Sequence, residues 1–182
     1  MKVVREPSEL EAKPRAVAIG SFDGVHRGHR AVVDAVRATG LEPTVMTFDP
    51  HPRIALGNKV ELLTTLERRL ELLDEAGVAA VLVASFTPQL QQLTPEQFAA
   101  RYLRAFGVEV VVAGADFRFG VRRSGDLALL ERLGFEVVVV PKLPGVSSTA
   151  IRAALAEGDM QTAAAMLGRP FELDGIVVAG DQ

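Results

Sequence analysis

Two histidines three residues apart carry the most chemistry in this chain. His26 and His29 close the stretch Gly20-Ser21-Phe22-Asp23-Gly24-Val25-His26-Arg27-Gly28-His29, which follows a short apolar run and leads into a helical pattern over Arg30–Thr39. A small-residue turn from the carboxyl end of a strand into a helix is where open α/β sheets bind ligands. The helix start aims backbone N–H groups and a partial positive charge at that crevice, so it suits an anion. On a helical turn His26 and His29 share a face, and Gly28 lets a phosphate come close to the backbone. Phosphoryl and nucleotidyl transfer need mainly positioning and stabilisation of negative charge, which two hydrogen-bonding imidazoles supply. A lone histidine is more often a surface or capping residue. Here two of the three histidines in the chain fall in one loop, which favours the catalytic reading. A zinc site would need a third ligand from His51 or a carboxylate, and no metal-ligand set is assigned.

Three further loops extend the same edge. Thr47-Phe48-Asp49-Pro50-His51-Pro52-Arg53 follows a second apolar run, and its prolines are expected to hold it rigid and extended, with His51 and Arg53 toward the crevice. A stiff turn with a solvated histidine accounts for it equally well. Gly114-Ala115-Asp116-Phe117-Arg118-Phe119-Gly120, followed by Arg122 and Arg123, combines aromatic stacking surface with phosphate-pairing donors. The competing reading anchors Phe117 and Phe119 in the core beside solvated arginines. In Val146-Ser147-Ser148-Thr149-Ala150-Ile151-Arg152, Ser147 or Ser148 caps a helix whose first turn, with Arg152, forms a second phosphate cradle. Alone it is an ordinary cap. Facing the first loop across one sheet edge, it can hold a triphosphate from two sides.

The elements that must position these loops are legible from pattern. Apolar runs at Ala16–Ile19, Thr44–Phe48, Ala80–Ala84, Val108–Ala113 and Glu136–Val140 alternate with helical segments, which predicts a five-stranded parallel sheet in an α/β fold. The runs are not alternately polar, as expected for strands covered by helices on both faces. Thr64-Thr65-Leu66-Glu67 reads as a capping box opening Leu66–Ala76, with Leu66, Leu70 and Leu73 on one face. Thr94-Pro95-Glu96-Gln97 does the same for Pro95–Ala105. Gly168-Arg169-Pro170 stops a helix, and Phe171–Val178 reads as a lone β run.

Composition narrows the class. The chain has 182 residues, 48% hydrophobic and 24% charged, which fits one globular domain plus a remnant. No apolar run approaches the roughly 18 residues of a membrane helix, and Met1–Pro14 has no apolar signal core, so no membrane partner or export is expected. The absence of cysteine rules out thiolate chemistry and fits a reducing, cytoplasmic setting. A net charge of −3 gives no general attraction to nucleic acid, so an anion site must be built locally.

In this order, G-S-F-D-G-V-H-R-G-H, F-D-P-H-P, G-A-D-F-R-F-G and S-S-T-A-I-R resemble the N-terminal module of the prokaryotic bifunctional FAD synthetases (riboflavin kinase/FMN adenylyltransferase) over about Ala16 to Pro170. HxGH alone is shared by many nucleotidyltransferases, whereas the four motifs together are specific. The resemblance implies a Rossmann-like nucleotidyltransferase fold and transfer of AMP from Mg-ATP to FMN, with Mg2+ arriving with ATP and the two nucleotides as the only partners. It implies that His26 and His29 stabilise the α-phosphate. ATP would be held by Gly20, Phe22, Asp23, Gly28, Asp116, Ser148, Thr149 and Arg152, and FMN by His51, Pro52, Phe117 and Arg118. Residues 1–170 would form this domain and residues 171–182 a remnant of the first strand of a kinase barrel, so kinase activity would require a longer form. The rival readings are another HxGH adenylyltransferase with a pantetheine phosphate or nicotinate mononucleotide acceptor, and a non-catalytic nucleotide-binding module. Oligomeric state is not legible in the sequence.

Overall fold

The computed structural model describes residues 1–11 and 13–173. Its strands are β1 (Lys2–Val4), β2 (Arg15–Ile19), β3 (Glu42–Asp49), β4 (Ala80–Ser85), β5 (Val108–Gly114) and β6 (Glu136–Val140). They form a single sheet in the order β1-β4-β3-β2-β5-β6, and every pairing is parallel. The five expected strands are all present, with ends moved by one or two residues. The sixth, β1, is the correction: three residues beginning with a lysine carry no apolar run, and they become a strand only by pairing alongside β4.

Side-chain alternation divides the core between the two faces. Val17, Met46, Leu82 and Val111 point to one side, where they meet Phe98, Tyr102, Leu103, Phe106 and Leu130. Ala16, Ala18, Val45, Val81, Val83, Val110 and Val112 point to the other, onto Val33, Val36, Leu72 and Leu73. Covering both faces explains why the strand sequences are apolar throughout. A third cluster, Leu63, Ile151, Ala154, Ala163, Met166 and Leu167, joins the last two helices to the segment before residue 64, and Phe171 packs on it. The expected β run over Phe171–Val178 lies beyond the described residues from 174 onward, and Phe171–Leu173 are not part of a strand.

The helices are α1 (Arg27–Ala38), α2 (Pro52–Ala55), α3 (Leu66–Glu75), α4 (Pro88–Gln91), α5 (Pro95–Phe98), α6 (Leu127–Arg132), α7 (Ser148–Ala156) and α8 (Met160–Leu167). Thr94 and Gln97 form the expected reciprocal cap of α5. The helix then continues through a π turn at Ala99–Leu103 and a 3-10 turn at Arg104–Phe106. Gly107 ends it at φ 73°, where a Cβ would lie 2.4 Å from the Lys13 carbonyl oxygen, so only glycine fits. The expected capping box before α3 is not formed. Thr65 caps the helix by accepting from the Arg68 N–H at 3.1 Å, while Thr64 turns to the β2–α1 loop.

Because β2 pairs with β3 on one side and β5 on the other, the chain reverses direction across the sheet at β2, opening a crevice at its carboxyl end. The loops after β2, β3, β5 and β6 all emerge on that edge.

Candidate active site

The β2–α1 loop is built around a buried carboxylate. Asp23 is fully buried. Its Oδ1 accepts from the N–H groups of Leu63 (2.9 Å) and Thr64 (3.2 Å), and its Oδ2 pairs with Arg152 Nη2 at 2.5 Å. The Ser148 hydroxyl donates to the Asp23 carbonyl oxygen at 2.9 Å, and Arg152 Nε donates to the Glu61 carbonyl at 2.6 Å. Thr64 Oγ1 accepts from the Gly24 N–H at 3.1 Å. One residue thus joins the β2–α1 loop to the starts of α3 and α7. The loop is tightly bent: Phe22 and Val25 have φ of 50° and 37°, values rare for bulky or β-branched residues. Gly24 (φ 84°) packs where a Cβ would lie 2.8 Å from Leu63 Cδ1. Thr47 holds the other flank, its hydroxyl donating to the Ser21 carbonyl at 3.1 Å.

His26 is the N-cap of α1, its Nδ1 accepting from the His29 N–H at 3.2 Å. The helix therefore starts at Arg27, three residues earlier than the apolar pattern predicts, because an imidazole takes the capping role usually filled by Ser, Thr, Asp or Asn. The His26 and His29 rings stack at 3.7 Å between centroids and 13° between planes, and Phe22 lies 5.0 Å from His29. Gly28 accommodates this stack: a Cβ there would meet His26 Cε1 at 3.1 Å. The space on the Cβ side of Gly28 is thus filled by the His26 imidazole. Gly20 likewise leaves room for the Phe22 ring, which a Cβ would meet at 3.3 Å.

Burial sets the charge of the site. Desolvation lowers the His26 pKa to about 4; its own backbone hydrogen bond and Asp23 oppose this, and the Arg169 charge adds to it. His29 is held well below the ordinary value by desolvation, then by His26 and Arg69. His51 is lowered by desolvation first, with Asp23 opposing and Arg69, Arg152 and Arg53 contributing. All three imidazoles are neutral at pH 7, and each has one N–H to donate. In His26 and His51 the Nδ1 atoms accept backbone hydrogen bonds, which assigns the proton to Nε2.

The β3–α2 loop differs from expectation. Asp49–Pro50 is a cis peptide, His51 caps α2 by accepting from the Arg53 N–H at 3.1 Å, and Pro52 is the first helical residue. The prolines thus make a turn into a helix, not an extended segment. His51 is buried, Pro52 is partly exposed and Arg53 is exposed.

The structure brings together His26, His29, Asp23, Ser148 and Arg152. Asp23 is bonded to both Ser148 and Arg152, and the Phe22 ring is buried against His29. Thr149, in the first turn of α7, is exposed, and its hydroxyl has no hydrogen-bond partner among the described residues. Asp116 is exposed and pairs with Lys142 at 2.7 Å, which holds its carboxyl below the usual range. Phe119 is buried and Phe117 is half-buried against the same core cluster, their rings stacked at 5.7 Å. Arg118, Arg122 and Arg123 are exposed, and Arg118 Nη1 donates to the Phe117 carbonyl.

Two arginines were missed. Arg69 on α3 is buried at 2% exposure, and Arg169 has Nε and Nη1 buried without a partner. Arg69 had a signal: it stands three residues after Leu66 and four before Leu73, a charge on the apolar stripe of a helix. Arg169 had none beyond its place in a helix stop. Among the described residues no group of three or more His, Asp or Glu converges as a metal site, and no helix is long and apolar enough to cross a membrane.

The comparisons with known proteins agree with this geometry. The FAD synthetase family model matches residues 8–153. The chain is 40% identical to the bifunctional riboflavin kinase/FMN adenylyltransferase of Listeria monocytogenes, covering 92% of this chain and 58% of that protein. Its identity to the protein of the same name from Escherichia coli K12 is 36%, over 100% of this chain and 64% of that one. It therefore spans about three fifths of these relatives' length. A solved structure described as a macrolide-efflux protein from Streptococcus pneumoniae superposes with a TM-score of 0.88 at 28% identity, covering 99% of this chain and 65% of that one. Pantothenate synthetase from Thermus thermophilus shares the fold at a TM-score of 0.54 and 20% identity, over 91% and 72% of the two chains. With its motif-bearing loops gathered at one sheet edge and a family model matched over most of its length, the chain belongs to the FAD synthetase family.

Proposed function

We propose that this chain is an FMN adenylyltransferase that transfers AMP from Mg-ATP to FMN, giving FAD and pyrophosphate. The observation that carries the reading is the stacked, neutral pair His26 and His29 at the start of α1, beside the sheet's reversal point. An oxygen of the FMN phosphate attacks the α-phosphorus of ATP, a new P–O bond forms, and the bond from that phosphorus to the bridging oxygen breaks as pyrophosphate leaves. The chain's part is to align the two phosphates and to donate hydrogen bonds where negative charge builds up. His26 and His29 give those hydrogen bonds as neutral donors, and the N–H groups opening α1 and α7 face the triphosphate. Asp23, Ser148 and Arg152 keep the two helix starts in register, and Thr149 contributes a free hydroxyl. Gly20, Phe22 and Gly28 shape the bed under the histidines. Asp116 would line the adenosine side, with His51, Pro52, Phe117 and Arg118 on the flavin side.

Mg2+ fits as an ion carried by ATP. Asp23, the buried acid nearest the histidines, is committed to Leu63, Thr64 and Arg152, and a nucleotide-bound Mg2+ takes its ligands mainly from phosphates and water. When bound, it neutralises charge on the departing pyrophosphate. The reading assigns this activity to residues 1–170, makes residues 171–182 the opening of a second, kinase unit in a longer form, and places the enzyme in the cytoplasm, consistent with a chain free of cysteine.

Incubating the protein with ATP, Mg2+ and FMN, and separately with pantetheine phosphate or nicotinate mononucleotide, tests the reading by chromatography. FAD from the first mixture alone is expected. Folded, ATP-binding protein that forms no FAD would exclude it.

A further inference from the structure

Arg69 is a buried cation without a counter-ion. Only 2% of the residue is exposed. Nη1 donates one long hydrogen bond, 3.5 Å, to the Phe48 carbonyl at the crevice end of β3, and Nε is buried with no partner. No carboxylate pairs with it among the described residues. Three acids lie near enough for their charge to bear on it: Asp23 is paired with Arg152 at 2.5 Å, Asp49 with Arg5 at 3.1 Å, and Glu67 is exposed and makes no ion pair with it. Burying a guanidinium in this way is strongly unfavourable unless an anion meets it. A side chain kept there at such expense of stability points to an anion that arrives with function.

The position selects which anion. Arg69 is close enough for its charge to bear on the imidazoles of His29 and His51. Through Phe48, Arg69 lies at the end of β3 that leads into the loop carrying His51. Arg152 and Ser148 lie at the start of α7, bonded to Asp23, where the triphosphate is placed above. A phosphate monoester entering from the β3 side would reach Arg69 while its oxygens face the histidines. Such an ester carries close to two negative charges at neutral pH.

Resting on the adenylyltransferase reading, we infer that Arg69 is the counter-charge for the phosphate of the acceptor, and so the residue that distinguishes a phosphorylated flavin from riboflavin. Losing a charge-assisted pair of this kind weakens binding by roughly 10- to 100-fold.

The experiment compares FMN and riboflavin binding, by quenching of flavin fluorescence, in the parent protein, Arg69→Met and Arg69→Lys, together with KM for ATP and the thermal midpoint. For Arg69→Met, FMN binding should weaken by roughly 10- to 100-fold, toward that of riboflavin, while riboflavin affinity and the KM for ATP stay within about threefold. Arg69→Lys should fall between, since it keeps the charge and loses the fork. The midpoint of ligand-free Arg69→Met should equal or exceed the parent's, since a buried unpaired charge is gone. Equal losses for FMN and riboflavin, or an effect on ATP alone, would overturn the inference. If Arg69→Met does not fold, unchanged preference for FMN over riboflavin in Arg69→Gln overturns it. A parent protein that makes no FAD refutes the adenylyltransferase reading. A parent that makes FAD beside a Met variant with undiminished FMN preference refutes only the role of Arg69.

Discussion

Arg152 Nη2 meets Asp23 Oδ2 at 2.5 Å across 129 residues of sequence, in a place where the carboxylate is fully buried. Removing one partner of a buried pair leaves the other uncompensated. Asp23→Asn should therefore destabilise the fold by about 3–5 kcal/mol, read as a shift in the denaturant midpoint. Because the Asp23 side chain ties Leu63 and Thr64 to Arg152 on α7, the KM for ATP should rise as well. A variant with parental stability would show that the latch is dispensable.

His29→Ala should act on turnover. On the proposed mechanism its imidazole donates to charge that develops in the transition state, so kcat should fall on the order of 10²-fold or more while ATP binding changes little. The stack predicts a further effect: without the His29 ring over it, His26 loses part of its desolvation and its pKa should rise. Steady-state kinetics with FMN and ATP, together with a histidine NMR titration, check both. Turnover within a few-fold of the parent would remove His29 from the mechanism.

His26 should titrate with a midpoint of about 4 instead of 6.5. Above pH 6.5 the folded and unfolded chains both carry a neutral imidazole, and its stability term is fully present. Between 6.5 and about 4 the unfolded chain binds a proton that the folded chain does not, so stability falls with decreasing pH by up to about 1.4 kcal/mol per unit. An imidazole resonance titrating near 6.5 would contradict the assigned burial.

At the opposite end of the sheet, Glu42 opens β3 and pairs with Lys13 and with the buried Arg15 that opens β2. Desolvation pushes the Glu42 carboxyl up, but hydrogen bonds from Lys13 and Arg15 outweigh it and hold it below the ordinary value. Its contribution is present above the unfolded-state pKa and is lost as pH falls through the lower, folded value. Glu42→Gln should cost about 3 kcal/mol at pH 7 and flatten the acid limb of the stability profile. Because Glu42 is remote from the crevice, kcat should be unchanged in the folded variant. Thermal midpoints from pH 7 to 3 provide the comparison.

What the sequence determined by itself is what short-range order encodes. Runs such as Ala80–Ala84 and the Thr94–Gln97 cap specify their elements through neighbours a few residues away, and strands apolar on both faces, such as β4, point to a sheet covered on both sides. The four loop motifs were legible for the same reason, since each is contiguous. Tertiary structure decided what depends on distant partners. Lys2–Val4 becomes a strand only beside β4, and Thr64 leaves its expected capping role because Gly24 and Asp23, some 40 residues earlier, claim it. His26 caps α1 and stacks on His29 only where a buried, strained loop orients its ring. The burial of Arg69 on the apolar stripe of α3 was decided only when α3 packed against the sheet. Burial is a property of the assembled chain, and in this protein burial is what makes the histidines neutral and leaves Arg69 Nε without a partner.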